Sequence, residues 1–171
     1  GHTGHHYLHL LKSGNILFHD TWSKTSEITL GKKIIWEYES RTANGNEGKN
    51  VDVHAFDRLS NGHTVIVESN IGRIIHVDQK GQLHKAIPLG QDGRQNTRLV
   101  TLLKNGHYLA AAENPGVVTE YDAEGKIVWE YPTNTRVYSA LRLKNGNTLI
   151  ATGSGNSVIE VNPAKEVVWE I

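Results

Sequence analysis

One short pattern occurs four times in this chain, and no other feature limits its fold as much. The segments are LKSGNILFHD from Leu11, LSNGHTVIVE from Leu59, LKNGHYLAAA from Leu103 and LKNGNTLIAT from Leu143. Their common glycines, Gly14, Gly62, Gly106 and Gly146, lie 48, 44 and 40 residues apart. A second element follows each: GKKIIWEY from Gly31, GQLHKAIP from Gly81, GKIVWEY from Gly125 and AKEVVWEI from Ala164. Units of this length do not bury an apolar face alone, so successive units must stack on one another.

Each Asn-Gly or Ser-Gly pair predicts a tight hairpin turn, where glycine takes a positive φ without steric penalty. Short runs precede the turns, such as Val53–Leu59 and Tyr138–Leu143. β-branched runs follow them, Thr64–Glu68 and Thr148–Thr152, then Arg73–Val77 and Ser157–Val161, then an outer run such as Ile127–Tyr131. No segment keeps a helical period. The reading is all-β: a β-propeller of four antiparallel, four-stranded blades at approximately 1–39, 50–88, 96–132 and 136–171. These form one domain over 1–171, expected to be part of a larger ring of six to eight blades. The chain starts at Gly1 and holds no Met, so a processed product or a piece of a longer propeller is expected. A second copy completing the ring is the other way to close it.

Charge narrows the partners. Eighteen basic residues balance eighteen acidic ones, so no overall field favours nucleic acid or an anionic membrane. No run approaches the roughly 20 apolar residues of a membrane-spanning helix. With no Cys, disulfides, thiolate metal sites and cysteine nucleophiles are excluded. The neighbouring His2, His5, His6 and His9 suggest a metal site, but alternate strand residues face opposite ways, so a frayed terminus is expected instead. His63 and His107, next to hairpin glycines, are expected to be exposed, and His76 and His84 show no evident partner.

Trp36, Trp129 and Trp169 share one repeat position, which Lys85 occupies in the second repeat. A large ring there is expected to pack between blades and not to serve a ligand. Trp22 breaks the register and is the one Trp considered for ligand contact. Residues five positions before each repeat leucine are His6, His54, Arg98 and Tyr138. They should begin the innermost strands and form part of a ring at one mouth of the channel. Near them, where second strands end, stand Asp20, Glu68, Asn70, Glu113 and Asn114. This polar set is the candidate ligand site; the alternative is a lining that only satisfies itself and water. Two long connections, Ser40–Asp52 and Gln91–Thr97, are placed to cover the same mouth.

At DAEGKIVWEY (Asp122–Tyr131) the chain resembles pyrroloquinoline-quinone-like β-propeller repeats, where the Trp docks one blade on the next. The Leu143–Ile150 element is similar to repeats of bacterial arylsulfotransferase-like propellers. Lys85, and Asn162-Pro163-Ala164-Lys165 in place of the Gly-Lys turn, depart from the pattern. The resemblance implies a bacterial protein placed in the periplasm or outside the cell. Quinone enzymes of this kind have about eight blades, so no quinone cofactor is expected in four. The main expectation is a non-enzymatic binding or scaffold module for a glycan, an anionic small molecule or a protein. The alternative that the resemblance implies is sulfate transfer with His54 as nucleophile or base and Arg98 holding the anionic group. A lyase variant would use His54 or Tyr138 as base.

Overall fold

The computed structural model describes residues 8–90, 96–153 and 157–171; His2, His5 and His6 and residues 91–95 lie outside them. Among the described residues sixteen strands form four separate sheets, each a four-stranded antiparallel meander in chain order. Sheet one holds β1 (Leu8–Leu10), β2 (Ile16–His19), β3 (Lys24–Ile28) and β4 (Ile34–Glu39). Sheet two holds β5 (Val53–Arg58), β6 (Thr64–Glu68), β7 (Arg73–Val77) and β8 (Leu83–Pro88). Sheet three is β9 (Asn96–Leu102), β10 (Tyr108–Asn114), β11 (Val117–Tyr121) and β12 (Ile127–Pro132). Sheet four is β13 (Val137–Arg142), β14 (Thr148–Thr152), β15 (Val158–Val161) and β16 (Val167–Glu170). A 3-10 turn at Ser40–Thr42 is the one helical element among the described residues.

The hairpins between first and second strands are the sequence repeat itself. In each, the amide of the repeat glycine donates to the carbonyl of the repeat leucine, from Gly14 to Leu11 at 2.9 Å through Gly146 to Leu143 at 3.1 Å. All four glycines have φ between 83° and 89°, which explains why no side-chain residue replaces them.

The chain divides into two compact units, Gly1–Pro88 and Leu89–Ile171, each with two sheets and its own core. In the first, Leu17, Trp36 and Tyr38 of sheet one meet Val53, Phe56 and Ile66 of sheet two. In the second, Leu109 and Val118 of sheet three meet Val137, Ala140 and Ile150 of sheet four. The Trp position packs between blades, as expected, at Trp36 and Trp129, whereas Trp169 is 48% exposed. Arg58 lies over the Trp36 ring at 5.2 Å and bonds Glu27 at 2.8 Å. Arg142 lies over Trp129 at 5.2 Å and bonds Glu120 at 2.7 Å, while Trp129 Nε1 donates to the Pro163 carbonyl at 3.3 Å.

The histidine expectations need correction: His63, like His107, is half-buried and not an exposed turn residue. His107 is half-buried, with Nδ1 2.7 Å from Glu120 Oε1, because that carboxylate lies under the turn and accepts from both sides. His84 does have a partner: its Nε2 is 3.0 Å from Asp78 Oδ2, and its ring lies against that of His63 at 4.5 Å, tilted by 36°. His76, opposite Lys85 in register, is pushed down to about 4 by burial, then by the Lys85 and His63 charges.

Candidate functional site

The position chosen by counting back from the repeat leucine has a distinct backbone meaning. In sheet two, Val53 pairs with Glu68 and Ala55 with Val67, leaving His54 as an extra residue. In sheet three, Thr97 pairs with Ala112 and Leu99 with Ala111, leaving Arg98 extra. In sheet four, Val137 pairs with Thr152 and Ser139 with Ala151, leaving Tyr138 extra. Each is therefore the unpaired residue of a β-bulge, a device that bends a strand and re-aims a side chain. The equivalent His6 lies outside the described residues.

In the second unit these bulges bring candidate residues together. Sheet three carries a second irregularity: Ala112 pairs with Thr97 and Asn114 with Asn96, so Glu113 is also extra. The two extra residues meet across the strands, with Arg98 Nε donating to Glu113 Oε2 at 2.5 Å. Arg136 Nη1 approaches the other carboxylate oxygen at 3.3 Å. The Arg98 guanidinium also lies 5.5 Å from the Tyr138 ring centre, as a cation stacked on a π-face. Glu113 is 11% exposed, whereas the Arg136 side chain is 63% exposed. Two cations thus share one nearly buried anion, and the surplus charge faces solvent.

Beside them is a recess of about 580 Å³, lined by Asn96, Glu113, Asn114, Asn134, Thr135 and Arg136 with Pro115. One side is a loop held by Thr133, whose single hydroxyl hydrogen has two carbonyl acceptors in reach, Gly116 at 3.0 Å and Thr135 at 2.6 Å. Arg98, Glu113, Asn114 and Tyr138 were legible in the repeat; Arg136, Asn96, Asn134 and Thr135 were not among the candidates. The available signal was the position of Arg136, directly before an innermost strand that begins at Val137.

Tyr138 depends on a glycine. A β-carbon on Gly153 would stand 2.5 Å from Cε2 and 2.6 Å from Cζ of the Tyr138 ring, yet Tyr138 is 44% exposed and free to swing outward. Gly153→Ala should therefore move the ring off Arg98 at small cost, about 1 kcal/mol or less in either direction. NMR tests this: the Tyr138 ring and Arg98 Nε–H resonances should shift while Tm stays within a few degrees. Unmoved resonances would show that the ring is not held there by the missing β-carbon.

The first unit arranges its candidates differently. His54 is half-buried on its bulge. Glu68 is fully buried, with Arg73 Nε at 2.5 Å from one oxygen and Asn46 Nδ2 at 3.0 Å from the other. It fastens the 40–52 connection to the sheet. Asn70 does related work, accepting from the Asp52 amide at 2.7 Å and donating to the Asn50 carbonyl at 2.6 Å. Asp20 is exposed and lies 3.4 Å from Lys24 Nζ. Trp22 is 44% exposed, and its carbonyl accepts from the Val53 amide at 2.8 Å. Among the described residues no three His, Asp or Glu side chains gather as a metal-binding group.

Neither a protein-family model nor a curated protein matches this sequence. Solved structures do. The WD40 β-propeller domain of Doa1 superposes over 100% of this chain and 54% of its own, with a TM-score of 0.74 at 16% identity. The four sheets are β-propeller blades. A protein of unknown function from Bacteroides caccae matches with a TM-score of 0.75 at 20% identity, over 99% of this chain and 62% of that one. A streptogramin B lyase matches at 0.74 and 17% identity, over 98% and 54%. This chain therefore spans about half to three fifths of the propellers it resembles. The likeness is one of fold.

Proposed function

We propose that the chain is a binding module without turnover, whose second unit takes a small anionic ligand, such as a sugar acid or sulfated sugar, in the recess beside Arg136. One observation carries this reading. Arg98 and Arg136 converge on the single carboxylate of Glu113, which leaves one positive charge over at the wall of an open, polar recess. A guanidinium satisfies a carboxylate or sulfate with parallel, charge-assisted hydrogen bonds, and Arg136 has donors to spare. Asn96, Asn134 and Thr135 supply the neutral donors and acceptors that hydroxyl groups need.

A sulfate-transfer reading would use Arg98 to hold the transferring group. Arg98 is already committed to Glu113 at 2.5 Å and to the Tyr138 face, which favours binding over transfer.

Calorimetric titration with glucuronate, inorganic sulfate and a neutral sugar tests the proposal. Binding of one of the anions should weaken about tenfold or more in Arg136→Ala, the loss expected for a charge-assisted pair. The neutral sugar should bind less well than glucuronate. Equal affinity of wild type and Arg136→Ala for every anion would remove the site. Release of an aryl sulfate's sulfuryl group, abolished by His54→Ala, would replace binding by catalysis.

A further inference from the structure

Joints between consecutive blades inside each unit use three side chains in fixed positions. In blade one Trp36 stands opposite Glu27 in register, and Arg58 of blade two covers the ring and bonds the carboxylate. In blade three Trp129 stands opposite Glu120, and Arg142 of blade four does the same. Arg58 and Arg142 each directly precede a repeat leucine, Leu59 and Leu143. Blade two has Lys85 opposite His76, and the residue before the next repeat leucine is Leu102. Trp, Glu and Arg thus occur together and are replaced together.

Blade four has two of the three. Trp169 pairs in register with Glu160, as in blades one and three. Glu160 Oε1 accepts from Asn147 at 2.6 Å, just as Glu27 Oε1 accepts from Asn15 at 2.7 Å. In Glu27 the other oxygen takes Arg58; for Glu160 Oε2 no cation is in reach among the described residues. Trp36 and its stacked neighbour Tyr38 are 7% and 5% exposed, whereas Trp169 and Ile171, at the matching positions, are 48% and 75% exposed. A ring, an aliphatic side chain and a carboxylate stand ready in the geometry that a neighbouring arginine fills elsewhere.

We propose that this face of blade four docks a further propeller blade, one that carries Arg immediately before its repeat leucine. The charge of Glu160 asks for the cation, and the same joint within the molecule shows how it is met. A second copy of this chain offering its blade one would bring Leu10 to that place, without the cation. The inference is independent of the ligand recess.

A duplicated blade supplies the probe. Residues 132–171 appended after Ile171 repeat the natural connection between blades three and four and present an arginine to Trp169. A control fusion replaces that appended arginine by Leu. Acrylamide quenching attributable to Trp169, read as the difference from Trp169→Phe, should fall several-fold in the arginine fusion and less in the control. Glu160→Gln should lower the folding equilibrium constant about tenfold more in the arginine fusion than in the control, because only there does it remove a charged partner. Equal quenching in both fusions, an appended blade that stays protease-sensitive, or an unchanged effect of Glu160→Gln would each overturn the proposal. So would self-association of the unextended chain that Trp169→Glu abolishes, since a second copy would then be the occupant.

Discussion

Replacing Glu68 by Ala is expected to destabilise the chain by about 3–5 kcal/mol, the cost of removing one partner from a buried ion pair. Glu68 is fully buried, and Arg73, 21% exposed, bonds it through Nε at 2.5 Å. The remainder of the guanidinium holds the 40–52 connection, donating from Nη2 to the Asn44 carbonyl and the Asn46 side-chain oxygen, both at 3.1 Å. Asn46, itself buried, ties back to Glu68 at 3.0 Å and to the Ser40 carbonyl at 2.8 Å. Asn44 also donates to the Tyr38 hydroxyl, which burial and then the Glu68 charge push up to about 12. Loss of the carboxylate therefore leaves the Arg73 charge without its counter-ion and Asn46 with one acceptor fewer, and loosens the loop. Glu68→Gln keeps the shape and one acceptor and should cost about half as much. Urea unfolding measures both. A cost below about 1 kcal/mol for Glu68→Ala would mean that Arg73 finds water or another acceptor easily. Paired with Arg73→Ala, the effects should fall short of additive, because either change already breaks the same network.

That network also shows where the sequence stops being legible. Blade architecture could be read directly, because Gly14, Gly62, Gly106 and Gly146 each perform the same positive-φ turn and a short β-branched run follows most of them. The extra residues of the inner strands could be located too, since His54, Arg98 and Tyr138 keep a fixed distance from the repeat leucine. What spacing cannot carry is which way a bulged side chain turns, or which neighbour it finds. Glu68 and Glu113 both close a second strand, and a one-residue offset separates them. Glu68 pairs in the ladder with Val53 and turns into the core, while Glu113 is itself extra and turns to Arg98 and Arg136. Arg136 was missed for the same reason. It precedes the strand instead of belonging to it, and only the fold brings the 133–136 loop beside Asn114. The missing third member of the blade-four joint, by contrast, was open to sequence reading: Arg58 and Arg142 each stand directly before a repeat leucine, in step with a Trp in the preceding blade.

Gly116→Ala should cost about 3 kcal/mol and abolish the proposed anion binding in the same step. Gly116 has φ +87°, and an added β-carbon would fall 2.1 Å from the Thr135 carbonyl oxygen and 2.9 Å from its carbon. Those are backbone atoms, so no rotamer change relieves the contact. The left-handed conformation alone costs an alanine about 1–2 kcal/mol. Separation of the two segments would also strain the Thr133 bonds to Gly116, at 2.9 Å from the amide and 3.0 Å from the hydroxyl, each worth about 1 kcal/mol. Gly106→Ala is the matched control: φ is +84° there, but nothing lies within 4 Å of the added carbon. It should show the conformational cost alone, with the second unit's recess intact. The difference in urea stability between the two variants then isolates the contact with Thr135. Anion binding should survive Gly106→Ala and fail in Gly116→Ala, because Asn134, Thr135 and Arg136 move with the displaced loop. If both variants bind glucuronate or sulfate as the wild type does, the ligand does not sit between Asn114 and Arg136.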